Sequence, residues 1–530
     1  MVTQKNGLIV PILLALFVAL LFGQSAFYGF VYDDHAIIES NSSVGDWSTV
    51  WGALTHDLFY NSEVRSSPFW RPLVTLSYYV DASIAAGPMV GHLTNLVLTW
   101  FFGWAFFRFL KELGLSYKLS LSGAVLLLCH PVLIEPAVNI TSRTDLMAGL
   151  FCLLALRCEH TRGIFIFSML ALFSKEVAIV LPLMFLGLGK SSGAKVSGLA
   201  MGVYLALRMS VSLSGGLGEV SVSSSQVLEA GAVAWYQLGF AILPSTSTVG
   251  QSLPTFGIFS SILGWVSILG IVGACALRRK SIPPLTRLGV VIIIPTLLLV
   301  SGITGSTVRV GDGLLLFPVL GILCFLLATL NLVEERYQTL GVLSVLLISV
   351  WTGAGTAAAW RDDTSLWESA YMDLPDDPLI RLNYTRSIVD TNPELVTSIL
   401  PDVDFRDARK SREAAEVMAR ALLNLGNEQE AASFLLDAMG QDVEARWANS
   451  AACLLVAGGL MQQAGEVCNT AFLTDPLDGG LRNALGVYHG RLGEPELAIP
   501  HFEEAVRLAP DDLSYLGNLR NARSSVRGDL

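Results

Sequence analysis

The sequence predicts an all-α protein in which a polytopic membrane helical bundle is followed by a water-soluble helical repeat. Three observations predict this class. The 530 residues have a mean hydropathy of +0.55, with 52% hydrophobic and only 15% charged side chains, unlike a soluble globular protein. Apolar runs long enough for spanning helices, which need about 20 residues, recur along the first two thirds of the chain. Beyond residue 360 these runs stop and a shorter sequence repeat begins.

The apolar runs predict about eleven membrane-spanning helices. They lie near residues 8–27, 90–109, 119–135, 145–157, 163–175, 176–189, 196–212, 255–276, 286–303, 313–331 and 338–357. A further apolar stretch, 228–243, ends at Pro244 and is either a twelfth span or a helix lying at the membrane interface. The first run is long and "GQSAF" is a poor cleavage site, so we expect an uncleaved anchor.

Lys and Arg in short loops predict the orientation of the bundle, because such loops stay in the cytoplasm. Basic residues recur at alternate connections: Lys5; Arg108, Lys111 and Lys118; Arg157 and Arg162; Lys190 and Lys195; Arg278, Arg279 and Lys280. The loops 31–88, 136–144, 213–254 and 304–312 would then lie outside. An odd number of spans places the C-terminal tail outside as well.

The formal net charge of −11 is unevenly distributed. Residues 361–530 hold 28 acidic and 15 basic side chains, a net of −13, whereas the remainder is close to neutral. An acidic tail argues against nucleic acid and anionic lipid headgroups as its ligands. The seven cysteines show no paired spacing, so we predict neither a disulfide framework nor a zinc site.

The tail carries an internal repeat. Gly426, Gly459 and Gly493 are 33 and 34 residues apart, and alanines keep the same steps at Ala431, Ala464 and Ala498. A helix pair of this length with small residues at the crossing is the tetratricopeptide repeat (TPR) pattern. The sequence therefore predicts a membrane domain at 1–358 and a TPR α-solenoid at 359–530. The repeat leaves open whether this stack is only rigid or offers a concave groove for a polypeptide or partner protein.

Many ionisable residues lie near the outer membrane face of the predicted bundle. They are Asp33, Asp34, Arg71, His92, Glu135, Arg143, Asp145, Lys175 and Glu176. Ionisable groups at this level are costly, so their number predicts a functional site. Two simpler alternatives stay open: Arg143 and Asp145 form an ion pair at a helix end, and Lys175 and Glu176 are an anchoring pair at a helix boundary. We expect His92 to pack or cap.

The order of motifs resembles the transmembrane and TPR-containing O-mannosyltransferases, which are C-type (GT-C) glycosyltransferases using polyprenyl-phosphate sugars. The resemblance rests on "YDD" at 32–34, "RPL" at 71–73, "HLTN" at 92–95, "HPVLIEPAVNITSRTDL" at 130–146 and "SKE" at 174–176. The chain departs from the family pattern at "VRVGDGLLLFP", where Gly313 follows Asp312 and Arg309 lies three residues upstream.

The resemblance implies an inverting transfer in which an acidic residue takes the proton of an acceptor hydroxyl. It assigns this role to Asp33, with Asp34 orienting a hydroxyl or, alternatively, holding a divalent metal together with Asp33. Cations must stabilise the leaving phosphate, and we expect Arg143, Lys175 and Arg309 to do so. We expect the remaining candidates to orient the substrate or these cations: Glu135, Asp145, Glu176 and Arg71.

The sequence thus predicts a membrane glycosyltransferase with a lipid-linked, mannose-like donor and a protein Ser/Thr acceptor. Its partners would be the polyprenyl-phosphate sugar, membrane lipids and a protein at the TPR domain, with no nucleic acid. Arg-, Ala- and Gly-rich usage favours a bacterial inner membrane with a periplasmic tail; an endoplasmic reticulum membrane with a lumenal tail is the alternative. Two other functions stay open: a GT-C enzyme acting on a glycan or lipid, and a non-enzymatic TPR scaffold.

Overall fold

The computed structural model describes residues 9–60, 69–215, 224–242, 251–252, 256–278, 281–301, 309–310, 315–353, 356–401, 408–439, 451–452, 454–456, 458–474, 478–509 and 513–527. The chain divides into two compact units, Met1–Asp373 and Leu374–Leu530. This division falls after Asp373, whereas the sequence placed the domain boundary after residue 358. The helix over 363–373 belongs with the first unit because it contacts the first loop after the N-terminal helix.

The first unit is built from helices. They are α1 (Ile9–Phe22), α2 (Val50–Thr55), α3 (Pro72–Ile84), α4 (Pro88–Glu112), α5 (Tyr117–Cys129), α6 (Ile134–Val138), α7 (Arg143–Arg157), α8 (Thr161–Leu172), α9 (Leu181–Gly187), α10 (Ser191–Gly215), α11 (Ser224–Ile242), α12 (Ile258–Leu277), α13 (Pro284–Val300), α14 (Leu316–Leu330), α15 (Glu335–Gly353), α16 (Thr356–Ala359) and α17 (Asp363–Asp373). Short 3₁₀ turns lie at Gly23–Phe27, Pro131–Leu133 and Glu176–Val180, and a single π turn lies at His35–Glu39.

The chain is a membrane protein. A helix lies in each of the eleven predicted spans, and within the described ranges four helical segments are long and apolar enough to cross a bilayer alone. They are Ile9–Phe27, Pro88–Glu112, Ile258–Leu277 and Glu335–Ala359. The bent pair Tyr117–Cys129 and Pro131–Val138, with 64° between its helices, would make a fifth. The count of eleven spans stays a prediction, because several of the other apolar helices are shorter than a bilayer requires.

Helices α4 and α7 run side by side in the same direction. Arg143, at the start of α7, donates to the carbonyl of Gly91 at 3.0 Å, near the start of α4. At the other end Arg157 pairs with Glu112 at 2.7 Å. This agrees with the predicted orientation, in which both helices run from the outer to the cytoplasmic face.

The loops 213–254 and 304–312, both predicted to lie outside, are joined by an antiparallel pairing of two residues on each strand, β1 (Gln251–Ser252) and β2 (Arg309–Val310). The uncertain stretch 228–243 forms α11, which packs against α12. A Cβ added at Gly264 would lie 2.4 Å from the Gly231 backbone, so small residues allow these two helices to touch closely. Whether α11 crosses the membrane stays a prediction.

In the second unit, the repeat positions have matching structural roles. Its described helices include Pro378–Ile388, Pro393–Ile399, Ala408–Asn424, Glu428–Met439, Met461–Thr474, Gly479–Arg491, Pro495–Leu508 and Leu513–Arg527. Gly426, Gly459 and Gly493 follow helices with φ of 78°, 75° and 78°, a backbone conformation that glycine adopts without strain. The equivalent alanines, Ala431, Ala464 and Ala498, are completely buried. The period therefore marks repeated helix pairs, and their stacking into a TPR solenoid stays a prediction.

Candidate functional site

The backbone adopts a left-handed conformation at Tyr32, directly before the two aspartates. Tyr32 has a φ of 57°, and it is the one non-glycine residue with positive φ in the described part of the chain. A left-handed backbone costs an L-residue about 1–2 kcal/mol, so surrounding contacts must hold it. Asp363, at the start of α17, accepts a hydrogen bond from the Tyr32 N–H at 2.9 Å. The turn that presents Asp33 and Asp34 is therefore held under backbone strain.

The two neighbouring carboxylates have different environments. Asp34 is fully buried, and its two oxygens accept the backbone N–H groups of Thr141 at 2.9 Å and Val31 at 3.3 Å. Asp33 is only partly buried and accepts no hydrogen bond from the residues that the structure describes. Asp34 therefore ties the first loop to the 139–142 turn, whereas Asp33 keeps its oxygens available to a ligand.

The pKa of both carboxyl groups is raised. Burial raises the pKa of Asp33 to about 6, although the positive charge of Arg71 opposes the rise. Burial raises the pKa of Asp34 to about 7, against the lowering effect of the hydrogen bonds from Thr141 and Val31. A base works best when its pKa lies near the operating pH. Asp33 combines such a pKa with accessible oxygens, which suits it to accept a proton.

Three cations and two carboxylates form a second group, which we name the cation cluster: Arg71, Lys175, Arg208, Asp145 and Glu176. Nη2 and Nε of Arg71 lie 3.1 and 3.3 Å from Oε2 of Glu176. Lys175 Nζ lies 2.5 and 2.6 Å from the two oxygens of Asp145. Arg208 Nη1 lies 3.8 Å from the other oxygen of Glu176. The three cationic side chains are 12%, 12% and 21% exposed, so the cluster is accessible to an anion.

Aromatic packing brings the cation cluster together from distant segments. The Leu73 N–H donates to the carbonyl of Phe173 at 3.3 Å, which places the start of α3 against the end of α8. The Trp70 ring packs on Phe173 with centroids 5.6 Å apart and stacks on Tyr204 of α10 at 5.7 Å. Arg208 lies one turn after Tyr204. The "RPL" and "SKE" motifs and α10 therefore present their cations at one place.

Arg143 requires a correction. It was expected to bind the donor phosphate, but its side chain is completely buried and each guanidinium nitrogen already donates to a protein acceptor. We name this group the Arg143 centre. Its hydrogen-bond acceptors include Asn95 at 2.9 Å, Ser77 at 3.0 Å and Gly91 at 3.0 Å, and Asp81 forms an ion pair with it at 2.6 Å. A guanidinium with its donors engaged and no exposed surface is not available to a phosphate. Arg143 instead joins α3, α4 and α7.

The ion pairs are not those between sequence neighbours. Arg143 pairs with Asp81 rather than Asp145, and Lys175 pairs with Asp145 rather than Glu176. The expected helix-end pair of Arg143 with Asp145 is therefore wrong, and Lys175 and Glu176 each find a counterion on another element. Arg143 and Asp145 lie two residues apart on α7 and point in different directions, and Lys175 is an extended residue directly before a 3₁₀ turn.

The remaining sequence candidates lie as follows. Glu135 accepts a hydrogen bond from the Ser142 hydroxyl at 2.9 Å. His92 is 1% exposed with Nε2 3.2 Å from the Gly29 carbonyl oxygen, so it packs as expected. For Arg309 only the backbone is described, in β2; its side chain and the whole of Asp312 lie outside the described residues.

The alternative of a metal at Asp33 and Asp34 does not fit the geometry. Both Asp34 oxygens already accept backbone N–H groups. Within the described ranges no group of three or more His, Cys, Asp or Glu side chains is arranged to hold a metal ion. A divalent cation bound by a protein usually needs several such oxygen ligands, and here a single accessible carboxylate remains.

Comparison with known proteins confirms the resemblance drawn from the motifs. The chain is 33% identical over 143 residues to Protein O-mannosyl-transferase TMTC2 of Mus musculus, covering 25% of this chain and 17% of that protein. It is similar to two human proteins, Protein O-mannosyl-transferase TMTC3, at 30% over 143 residues, and Protein O-mannosyl-transferase TMTC4, at 28% over 144 residues. These matches cover 26% and 24% of this chain, and 15% and 19% of the human proteins.

These curated relatives are protein O-mannosyl-transferases. The matched region spans less than a fifth of the length of each of them. No protein-family profile matches the chain.

Three residues of the site were not predicted from the sequence: Asp81, Arg208 and Asp363. Arg208 left a signal, because it lies within the apolar run 196–212, where an arginine is costly and often functional. Asp363 lies among polar residues where acidic side chains are ordinary, and Asp81 is a single aspartate in the helix "PLVTLSYYVDASI", so only their contacts distinguish them.

Proposed function

We propose that this chain transfers a mannose-like sugar from a polyprenyl-phosphate carrier to a Ser or Thr hydroxyl of a protein, with inversion, on the non-cytoplasmic face. The observation that supports it most is the accessible Asp33 carboxylate beside Arg71 of the cation cluster. A base next to a set of cations matches a reaction in which a hydroxyl loses a proton and a phosphate leaves. The names of the curated relatives support the sugar and the acceptor class.

In the proposed reaction the acceptor oxygen forms a bond to the anomeric carbon as the bond from that carbon to the phosphate oxygen breaks. The hydroxyl proton goes to Asp33, and the polyprenyl phosphate leaves with the bonding electron pair. Arg71, Lys175 and Arg208 stabilise the negative charge that develops on the phosphate, because cations in a partly buried site act strongly on it.

The other residues have supporting roles in this proposal. Asp145 and Glu176 hold the cations in place, and Asp34 and Arg143 fix the loops that carry the site. We retain Glu135 as a residue that orients the substrate, and we retain Arg309 as a further ligand of the donor phosphate. We place the bundle in the GT-C class, because the family named by the motifs is of that class.

The basic loops support a site on the non-cytoplasmic face, with the second unit on the same side presenting the protein acceptor. In a bacterium this side is the periplasm, and the alternative compartment is the endoplasmic reticulum lumen. Labelling single cysteines in loop 31–88 with a membrane-impermeant reagent on intact cells measures the side directly.

The experiment that tests the reaction is transfer of labelled mannose from polyprenyl-phosphate mannose by the full chain in proteoliposomes, with Asp33→Asn beside the wild type. Asn keeps the size of the side chain but cannot take a proton, so we expect transfer to fall at least about 100-fold. The matched control is Asp46→Asn, an exposed aspartate of the same loop, which should transfer normally.

The outcomes separate the alternatives. Label in the protein fraction supports the proposal, and label in the glycolipid fraction instead favours an enzyme that modifies a glycan or lipid. Equal transfer by Asp33→Asn and wild type would overturn the role of Asp33. A wild type that transfers no sugar from any lipid-linked donor would favour the scaffold.

A further inference from the structure

One carboxylate, that of Asp363, contacts residues on both sides of the two aspartates: the backbone of Tyr32 and the side chain of His35. Its Oδ1 accepts the N–H of Tyr32 at 2.9 Å, and its Oδ2 lies 2.7 Å from Nε2 of His35. Residues 32 and 35 immediately precede and follow Asp33 and Asp34. A single side chain on α17, more than 300 residues away in sequence, thus contacts the residue before and the residue after the two aspartates.

The first of these two contacts is with Tyr32, the residue whose backbone is strained. Tyr32 needs contacts to stay at a φ of 57°, and Asp363 binds its N–H directly. One turn further along α17, the Trp367 ring packs edge-on against the Tyr32 ring with centroids 5.5 Å apart. The Gly29 N–H also donates to the Arg361 carbonyl at 3.1 Å. The region around the start of α17 therefore contacts the turn through backbone, ring and carboxylate.

The second contact is an ion pair between His35 and Asp363. His35 faces two carboxylates, Glu39 of its own turn and Asp363 of α17, and contacts both. The hydrogen bond to Asp363, with help from Glu39, raises the pKa of His35 to about 9 despite partial burial. His35 is therefore an imidazolium at neutral pH, and it donates to Asp363 on the far side of the two aspartates.

We propose that Asp363 is a positioning residue for the base: it holds the strained turn so that the Asp33 carboxylate meets the acceptor hydroxyl. This inference rests on the proposed function, because positioning matters only if Asp33 accepts the proton. Asp363 acts through Tyr32 and His35 and does not itself meet the substrate. Without it, the turn relaxes from the left-handed conformation and the Asp33 carboxylate moves away from Arg71.

The test is the turnover of Asp363→Ala in the proteoliposome assay at saturating donor and acceptor. We expect kcat to fall about tenfold with KM for both substrates little changed, since the strain energy released corresponds to about one factor of ten in rate. The acidic limb of the kcat profile should also move to higher pH, because Asp33 loses the nearby positive charge of Arg71. The matched control is Asp373→Ala, an exposed aspartate at the other end of α17, which should leave both unchanged.

A second variant separates positioning from a general loss of stability. Glycine adopts a positive φ without strain, so Tyr32→Gly added to Asp363→Ala should restore kcat to within about threefold of the wild type. A purely structural role of Asp363 predicts the opposite, because removing the Tyr32 ring also removes its contact with Trp367. Normal turnover and an unmoved acidic limb in Asp363→Ala would overturn the inference.

Hydrogen–deuterium exchange distinguishes this inference from the proposed function. Asp363→Ala should speed exchange in the segment 28–39, while Asp373→Ala should not. If the segment loosens but Asp33→Asn still transfers sugar, then the proposed role of Asp33 as the base fails and Asp363 holds a turn without a catalytic base. If Asp33→Asn is inactive and the segment does not loosen, then only the inference about Asp363 fails.

Discussion

The Arg143 centre and the cation cluster are built from the same residue types near the same end of the bundle, yet they differ in access. Arg143 is 0% exposed and every nitrogen donates to a protein acceptor, while Arg71 is 12% exposed and contacts Glu176 on one side. Arg208 is still more open, at 21%. The first group is closed around its own partners, whereas the cationic side chains of the second are partly exposed, which is why we propose the second as the phosphate site.

An arginine near a membrane surface is a ligand candidate only if its guanidinium N–H groups do not all donate to protein acceptors. A buried guanidinium with all its acceptors supplied by protein loses much when one partner is removed, because the other charge is left unpaired in a low dielectric. A partly exposed guanidinium held by one carboxylate loses less stability and keeps donors for an anion.

The largest effect is expected for Arg143→Met. Removing the cation leaves Asp81 buried beside unpaired acceptors, which should lower the free energy of unfolding by about 3–5 kcal/mol. Thermal unfolding of the purified chain, followed by size-exclusion chromatography, measures this loss. If the variant folds normally but no longer binds the lipid-linked donor, then Arg143 is a phosphate ligand after all.

Next in size is Arg71→Gln. This change should lower kcat about 100-fold, as loss of one charge-stabilising donor does in other enzymes, while the chain stays folded because Glu176 keeps the nearby Arg208. Steady-state transfer in proteoliposomes measures kcat. The control is Arg157→Gln, an arginine paired with Glu112 at the other end of α7, where normal turnover is expected.

A smaller effect is expected from pH. Asp33 must be ionised to accept a proton, so kcat should fall as the pH drops through about 6, by about tenfold per pH unit below that value. Arg71 opposes the rise of this pKa, so the limb of Arg71→Gln should lie at higher pH than that of the wild type. A pH–rate profile from about pH 4.5 to about pH 8 covers the range in which carboxyl groups with a raised pKa titrate. It measures the fall in kcat at acidic pH for both the wild type and Arg71→Gln. A wild-type profile that is flat through pH 6 contradicts the assignment.

The smallest effect is expected for Arg208→Gln. Arg208 is the most exposed of the three cations and lies 3.8 Å from Glu176, so it should contribute chiefly to binding the donor phosphate. We expect KM for the donor to rise about fivefold, about 1 kcal/mol, with kcat changed less than twofold. Arg208→Lys should recover most of the affinity, since a charge alone suffices. An unchanged KM would remove Arg208 from the cluster's function.

Most of the residues that the structure groups in the candidate site are predicted from the sequence, but their partners are not. Arg71, Asp145, Lys175 and Glu176 were expected to lie together because their motifs flank predicted spans on one side. Arg143 was expected in the same group for the same reason. Its true counterion, Asp81, lies 62 positions earlier in the chain, and no local pattern marks that aspartate.

The membrane class and the helical segments can be predicted from the amino-acid sequence, because hydropathy and a repeat of 33 to 34 residues are local properties of the chain. Which ionisable groups are buried among their partners, and which stay accessible, can be seen only in the folded chain. Burial and pairing depend on elements far apart in sequence: Thr141 binds Asp34, Asp363 binds Tyr32 and Glu176 binds Arg71. Those three contacts make Asp34 a structural carboxylate and leave Asp33, its neighbour, as the candidate base.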